Sequence, residues 1–126
     1  MDPALVPPEE FDELVRSAID QLPAEAIELV SQVAVVVREE PDADEVEPGT
    51  TLLGLFRGIP QTTAGGRVPG TLPDLITLFR LPILSTCTSR EGVPGRVLTV
   101  LGHEVGHAFG LDEAQLRLRL GLTRVA

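Results

Sequence analysis

The stretch Val97 to Glu113, VLTVLGHEVGHAFGLDE, decides how the chain reads. Within it Val97, Leu101, Val105 and Ala108 share a stripe, Pro94 and Gly95 stand before it, and Gly110 follows Phe109. The pattern predicts a helix from Arg96 to Phe109 with a defined start and stop. His103 and His107, the chain's only two histidines, are four residues apart on this helix. At about 100° per residue they lie roughly 40° apart round the axis and one turn apart along it, so both imidazoles project to one place. Two nitrogen ligands for zinc are thereby pre-positioned. Glu104 is about 100° round from His103, out of line with the pair but within reach of a water held by the metal. Its expected role is general base.

A catalytic zinc takes three protein ligands and keeps one position open. Downstream of His107 the acids are Asp112 and Glu113, with no further His or Cys. Gly110 permits a left-handed backbone, so a side chain two or three residues later can fold back toward the metal. Both carboxylates also suit the first turn of a final helix, Asp112 to Leu120, where acids complement the helix dipole.

Upstream, Leu75, Ile76, Leu78 and Phe79 predict a strand stopped by Pro82, and Leu52 to Phe56 predicts a shorter one. Gly58 to Pro73 reads as a long flexible connection. Residues 38 to 50 hold Glu39, Glu40, Asp42, Asp44, Glu45 and Glu47 beside Pro41 and Pro48, a solvated loop too charged and too interrupted for regular structure. Val33 to Val37 is β-branched and predicts a strand buried on both faces. Phe11, Leu14, Val15, Ala18, Ile19 and Leu22 follow helical spacing up to Pro23, and a second short helix is expected over Ala24 to Val30.

With 126 residues and 43% hydrophobic content the chain suits one domain, 1–126, around one core. Aromatics are 3%, with no Trp or Tyr, so that core must be aliphatic. The formal net charge of -9 disfavours nucleic acid and anionic membranes as partners. A single cysteine, Cys87, rules out a thiolate zinc site and an intrachain disulfide, and fits a cytoplasmic location. Its expected place is the core, as a small hydrophobe. The N-terminus lacks the basic and apolar regions of a secretory signal.

HEVGHAFGLDE resembles the HExxHxxGxx(H/D) pattern of the zincins, whose last position supplies the third ligand and falls here on Glu113, with Asp112 as rival. Metzincins carry a methionine turn beneath the metal, whereas Met1 is the only methionine here. Gluzincins take a glutamate from a helix well downstream, where this chain has no acid beyond Glu113. The whole chain is instead similar to the minimal zincins, short bacterial proteins of about this size. LLGLFRGIP at Leu52 to Pro60, LPDLITLFRLPIL at Leu72 to Leu84 and the histidine stretch carry the likeness. It implies an α+β fold, a small sheet packed against the metal-bearing helix. Members tend to have Asp at the position of Glu113 and an aromatic hydroxyl at that of Phe79. Without a phenol, oxyanion stabilisation would fall to zinc, to backbone N–H groups, or to an arginine such as Arg80 or Arg90. The resemblance also implies a cleft-lining strand that holds an extended peptide by main-chain pairing, for which Leu75 to Phe79 is the candidate, with an ordinary core strand as the equal alternative. Asp74, just before it, is expected to be a turn residue.

The expected function is hydrolysis of peptide bonds in a peptide or protein substrate through a zinc-bound water, with His103, His107 and Glu113 as ligands and Glu104 as base. The alternative is a zinc-stabilised module that binds peptides or proteins with weak or no cleavage. A further alternative is a metal-free interaction domain that meets a basic partner through Glu39 to Glu47.

Overall fold

A computed structural model describes residues 1–58, 74–111 and 114. These residues form a mixed α+β fold in the order α1 (Pro8–Gln21), α2 (Ala24–Val30), β1 (Ala34–Arg38), β2 (Gly54–Arg57), β3 (Leu75–Phe79), α3 (Arg80–Ser85) and α4 (Val93–Ala108). The expected connection from Gly58 to Pro73, apart from Gly58 itself, lies outside the described residues, as does the expected last helix apart from Ala114. No helix among the described residues is long and apolar enough to cross a membrane.

Local chemistry sets the ends of the helices. Glu9 and Glu10 stand in the first turn of α1, where negative charge meets the positive end of the helix dipole. The helix stops at Leu22, whose ψ of 153° is the extended conformation required before Pro23. Phe11, Val15 and Ala18 form its buried face. α4 begins at Val93, three residues before the expected Arg96. Pro94 falls within the first turn, where an N–H would have no acceptor, so it opens the helix instead of preceding it.

At its other end α4 closes on a paired turn. Gly110 takes φ +72°, its N–H donates to His107 O at 3.2 Å, and the Leu111 N–H donates to Gly106 O at 2.8 Å. Leu111 is buried, as the apolar residue that ends such a turn usually is. The chain is thus turned immediately before Asp112 and Glu113.

The sheet has the order β1-β3-β2. β1 runs parallel to β3, pairing Ala34 with Leu75 and Arg38 with Phe79. β2 runs antiparallel to β3, pairing Gly54 with Leu78 and Arg57 with Leu75. Two expectations are corrected here. β3 is the central strand, so its main chain is already paired on both sides and cannot hold a peptide. β1 is an edge strand among the described residues: Val35 and Val37 pack on the core while Val36 is 38% exposed, so it is buried on one face only. Nor does Pro82 stop β3; the strand passes directly into α3 at Arg80, and Pro82 sits in the first turn of that helix.

Ile76 and Leu78 of β3 meet Val97, Val100, Leu101 and Val105 of α4 and Phe11, Val15 and Ala18 of α1 in one aliphatic core. Cys87 belongs to that core, as expected.

The acidic loop is more ordered than its composition predicts. Asp42 and Glu45 form a reciprocal capping box around the short 3-10 turn Ala43–Glu45. Glu45 accepts from Asp42 N–H at 2.6 Å, from Arg38 at 3.0 Å and from Arg57 at 2.8 Å, tying the loop to both edge strands. The Arg38 hydrogen bond, then the Asp42 N–H, hold the Glu45 carboxyl down at about 2 from an ordinary 4.5. A carboxylate depressed in the folded state stabilises fully above its unfolded pKa and loses that contribution as pH falls through the folded one. Stability is therefore expected to decline from about pH 4.5 toward 2. Glu45→Gln should flatten that limb in urea unfolding across the same range; an unchanged acid slope would remove Glu45 as its source.

Candidate metal centre

The ring centroids of His103 and His107 are 5.0 Å apart on α4, with the planes inclined at 80°. The helix therefore brings both imidazoles to one place, as the spacing predicts. Glu104 stands beside them, its side chain 9% exposed against 50% for His107. Its Oε1 lies 3.4 Å from His107 Nδ1, at the long end of hydrogen-bonding range.

His103 and Glu104 border a cleft of about 230 Å³. Val100, His103 and Glu104 form the α4 wall; Thr51, Leu52, Leu53 and Gly54 form the other, leading into β2. The strand at the cleft is therefore β2, at the edge of the sheet among the described residues, in the place expected of β3. Two imidazoles and a carboxylate are donors suited to a divalent transition metal such as zinc. Among the described residues no three such groups converge as a complete cage. Glu113 and Asp112, the expected third ligand and its rival, both lie outside the described residues.

Arg80 and Arg90 have other work. The Arg80 guanidinium is buried, and it donates to Val6 O at 3.1 Å, to Pro3 O at 2.8 Å and to both Glu39 oxygens at 2.7 and 3.0 Å. Arg90 donates to Leu5 O at 2.6 Å and to Glu10. Both pin the segment before α1 onto the body, and neither borders the cleft, so neither Arg80 nor Arg90 is placed to stabilise an oxyanion there. Phe79 is fully buried, with the Arg38 guanidinium 5.3 Å from its ring centre, and it too is absent from the cleft wall. Asp74, expected in a turn, is buried at the start of β3.

Gly54 was not singled out from sequence, although a lone glycine inside the apolar run Leu52 to Phe56 signals a close approach of backbone to a neighbour. Its neighbour is Glu104.

The sequence pattern of the zincin-like metallopeptidases matches residues 30–121, from the end of α2 through the histidine helix and beyond. The chain belongs to that family. As a class zincins bind zinc, which agrees with the donors on α4. No match is found among curated proteins. Among solved structures, a conserved hypothetical protein from T. thermophilus superposes with a TM-score of 0.57 at 23% identity, covering 81% of this chain and 92% of that one. At that identity the likeness shows a shared fold.

The arginine ties generate a direct expectation. Arg80→Ala leaves the Pro3 and Val6 carbonyls and Glu39 without their donor, at a cost of about 1–3 kcal/mol. Chemical unfolding should show this loss, with zinc uptake equal to that of the parent; a fall in zinc uptake in the folded variant would place Arg80 at the metal after all.

Proposed function

We propose that the chain is a zinc peptidase in which His103, His107 and Glu113 hold the metal and Glu104 is the general base. The observation that carries this is the pair of imidazoles, ring centres 5.0 Å apart, with the nearly buried Glu104 carboxylate 3.4 Å from His107 and sharing a cleft with His103. Zinc, when bound, supplies Lewis-acid polarisation of the scissile carbonyl and of the attacking water, and positive charge against the oxyanion.

The remaining work belongs to the chain. Glu104 opens onto the cleft, where its carboxylate takes a proton from the attacking water and returns it to the leaving amine. The backbone of β2 is the surface along which an extended peptide pairs, in the place first assigned to β3. Thr51 and Leu52 also border a second hollow of about 370 Å³ with Val46, Leu81 and Pro82, which gives such a peptide room for a side chain beyond the cleft. With Arg80 and Arg90 engaged elsewhere, main-chain N–H groups are the donors that the described residues offer to the oxyanion.

Glu104→Gln should retain zinc and cut peptide turnover by about 10²-fold or more. Turnover equal to the parent's would overturn the assignment of the base. His103→Ala and His107→Ala should each abolish stable zinc uptake in metal analysis of dialysed protein. Glu113→Ala should weaken zinc binding more than Asp112→Ala, and the reverse order would transfer the third ligand to Asp112. Zinc-loaded protein that binds extended peptides and leaves them intact would make the chain a metal-stabilised peptide-binding module.

A further inference from the structure

Gly54 opens β2 where the strand passes α4. A Cβ built on it falls 2.9 Å from Glu104 Cγ, 3.1 Å from Val100 Cγ1 and 3.3 Å from Glu104 Cδ. Carbon atoms rest at about 3.5–4.0 Å, so the site has no room for a methyl group. Gly54 is not among the residues of positive φ, so its backbone conformation is open to any amino acid. What the glycine supplies is space, and the space is occupied by the side chain of Glu104.

The surroundings are fixed. Val100 is 2% exposed and belongs to the core, and β2 is held by its pairing with β3 and by the Phe79 N–H donating to Leu53 O at 3.0 Å. Neither can yield without unpacking the core or breaking the ladder. The Glu104 side chain, by contrast, reaches the cleft and can move into it.

We propose that Gly54 is a positioning residue for Glu104: the bare backbone of β2 is the surface against which the Cγ–Cδ arm rests, and this contact aims the carboxylate into the cleft beside His107. The inference deepens the assignment of Glu104 as base and rests on it for its catalytic consequence. A methyl group at position 54 would displace the arm, and base catalysis is sensitive to misplacement on the scale of 1 Å, which can cost about 10²-fold.

Two double-mutant cycles test this. The first is thermal unfolding of metal-free protein, which needs no turnover. Gly54→Ala should lower Tm in the parent and by a clearly smaller amount when combined with Glu104→Ala, which removes the crowded Cγ and Cδ and leaves the Val100 contact. Should Gly54→Ala alone fail to fold, Glu104→Ala should restore folding. An equal fall in Tm in both backgrounds, or no restoration, would overturn the proposal. The second cycle is kinetic. Gly54→Ala should keep the parent's zinc content and KM while kcat falls about 10- to 100-fold. In the Glu104→Gln background the same change should cause no further loss; a further loss of the same size would show that Gly54 acts elsewhere. If Glu104→Gln itself leaves turnover intact, the base assignment fails, while the unfolding cycle still decides whether Gly54 holds the Glu104 arm.

Discussion

The burial of Val97, Val100, Leu101 and Val105 on α4 against Ile76 and Leu78 of the sheet is the contact on which the remainder of the molecule depends. α4 is intrinsically a poor helix, since it carries Gly95, Gly102 and Gly106, each costing about 1 kcal/mol relative to alanine. Each buried aliphatic contributes about 1.5–3 kcal/mol, so tertiary packing, and not helix propensity, holds it in shape. The same helix carries His103, Glu104 and His107 at the border of that packed face. The rigidity of the core is thereby lent to the imidazoles, and a loop bearing the same residues would have to order them at each encounter with a metal.

Legibility in the sequence followed the range of the interactions. The pairing of His103 with His107 is a matter of one helical turn and was readable from spacing alone. So was the helix from Ala24 to Val30, and so was the stop of α1 at Pro23. The start of α4 was misplaced because Pro94 and Gly95 look like breakers, whereas the first turn of a helix tolerates proline. The rank of the strands was not legible: Leu75 to Phe79 and Val33 to Val37 are both apolar, and which is central depends on partners 18 to 41 residues away along the chain. The commitment of Arg80 was likewise hidden, since its acceptors Glu39 and Val6 lie 41 and 74 residues distant and leave no local signature. Family resemblance supplied the α+β class and the sheet against the helix, and it pointed to Glu113, which falls outside the described residues.

The arginines show how an acidic chain organises itself. Arg38 and Arg57 converge on Glu45, Arg80 on Glu39, and Arg90 on Glu10. Acids from the first half of the sequence are thus stitched to cations elsewhere, and the segment before α1 is fastened through its main-chain carbonyls. The cleft receives none of these cations, so its described ionisable groups are the imidazole and the carboxylate of α4. Among the described residues, no positive side chain from the wall competes with these groups.

The order of the sheet carries a consequence for how copies of the chain behave together. β1 stands at the margin with the sequence AVVVR, pairs with β3 on one side, and meets no described strand on the other. A β-branched margin of this kind is a template for strand addition between molecules, which many proteins suppress by placing lysine or proline within the strand. Here the only charged residue of the strand is Arg38, at its end, and that guanidinium is engaged by Glu45. The formal net charge of -9 opposes the approach of two such margins, and added salt screens that repulsion.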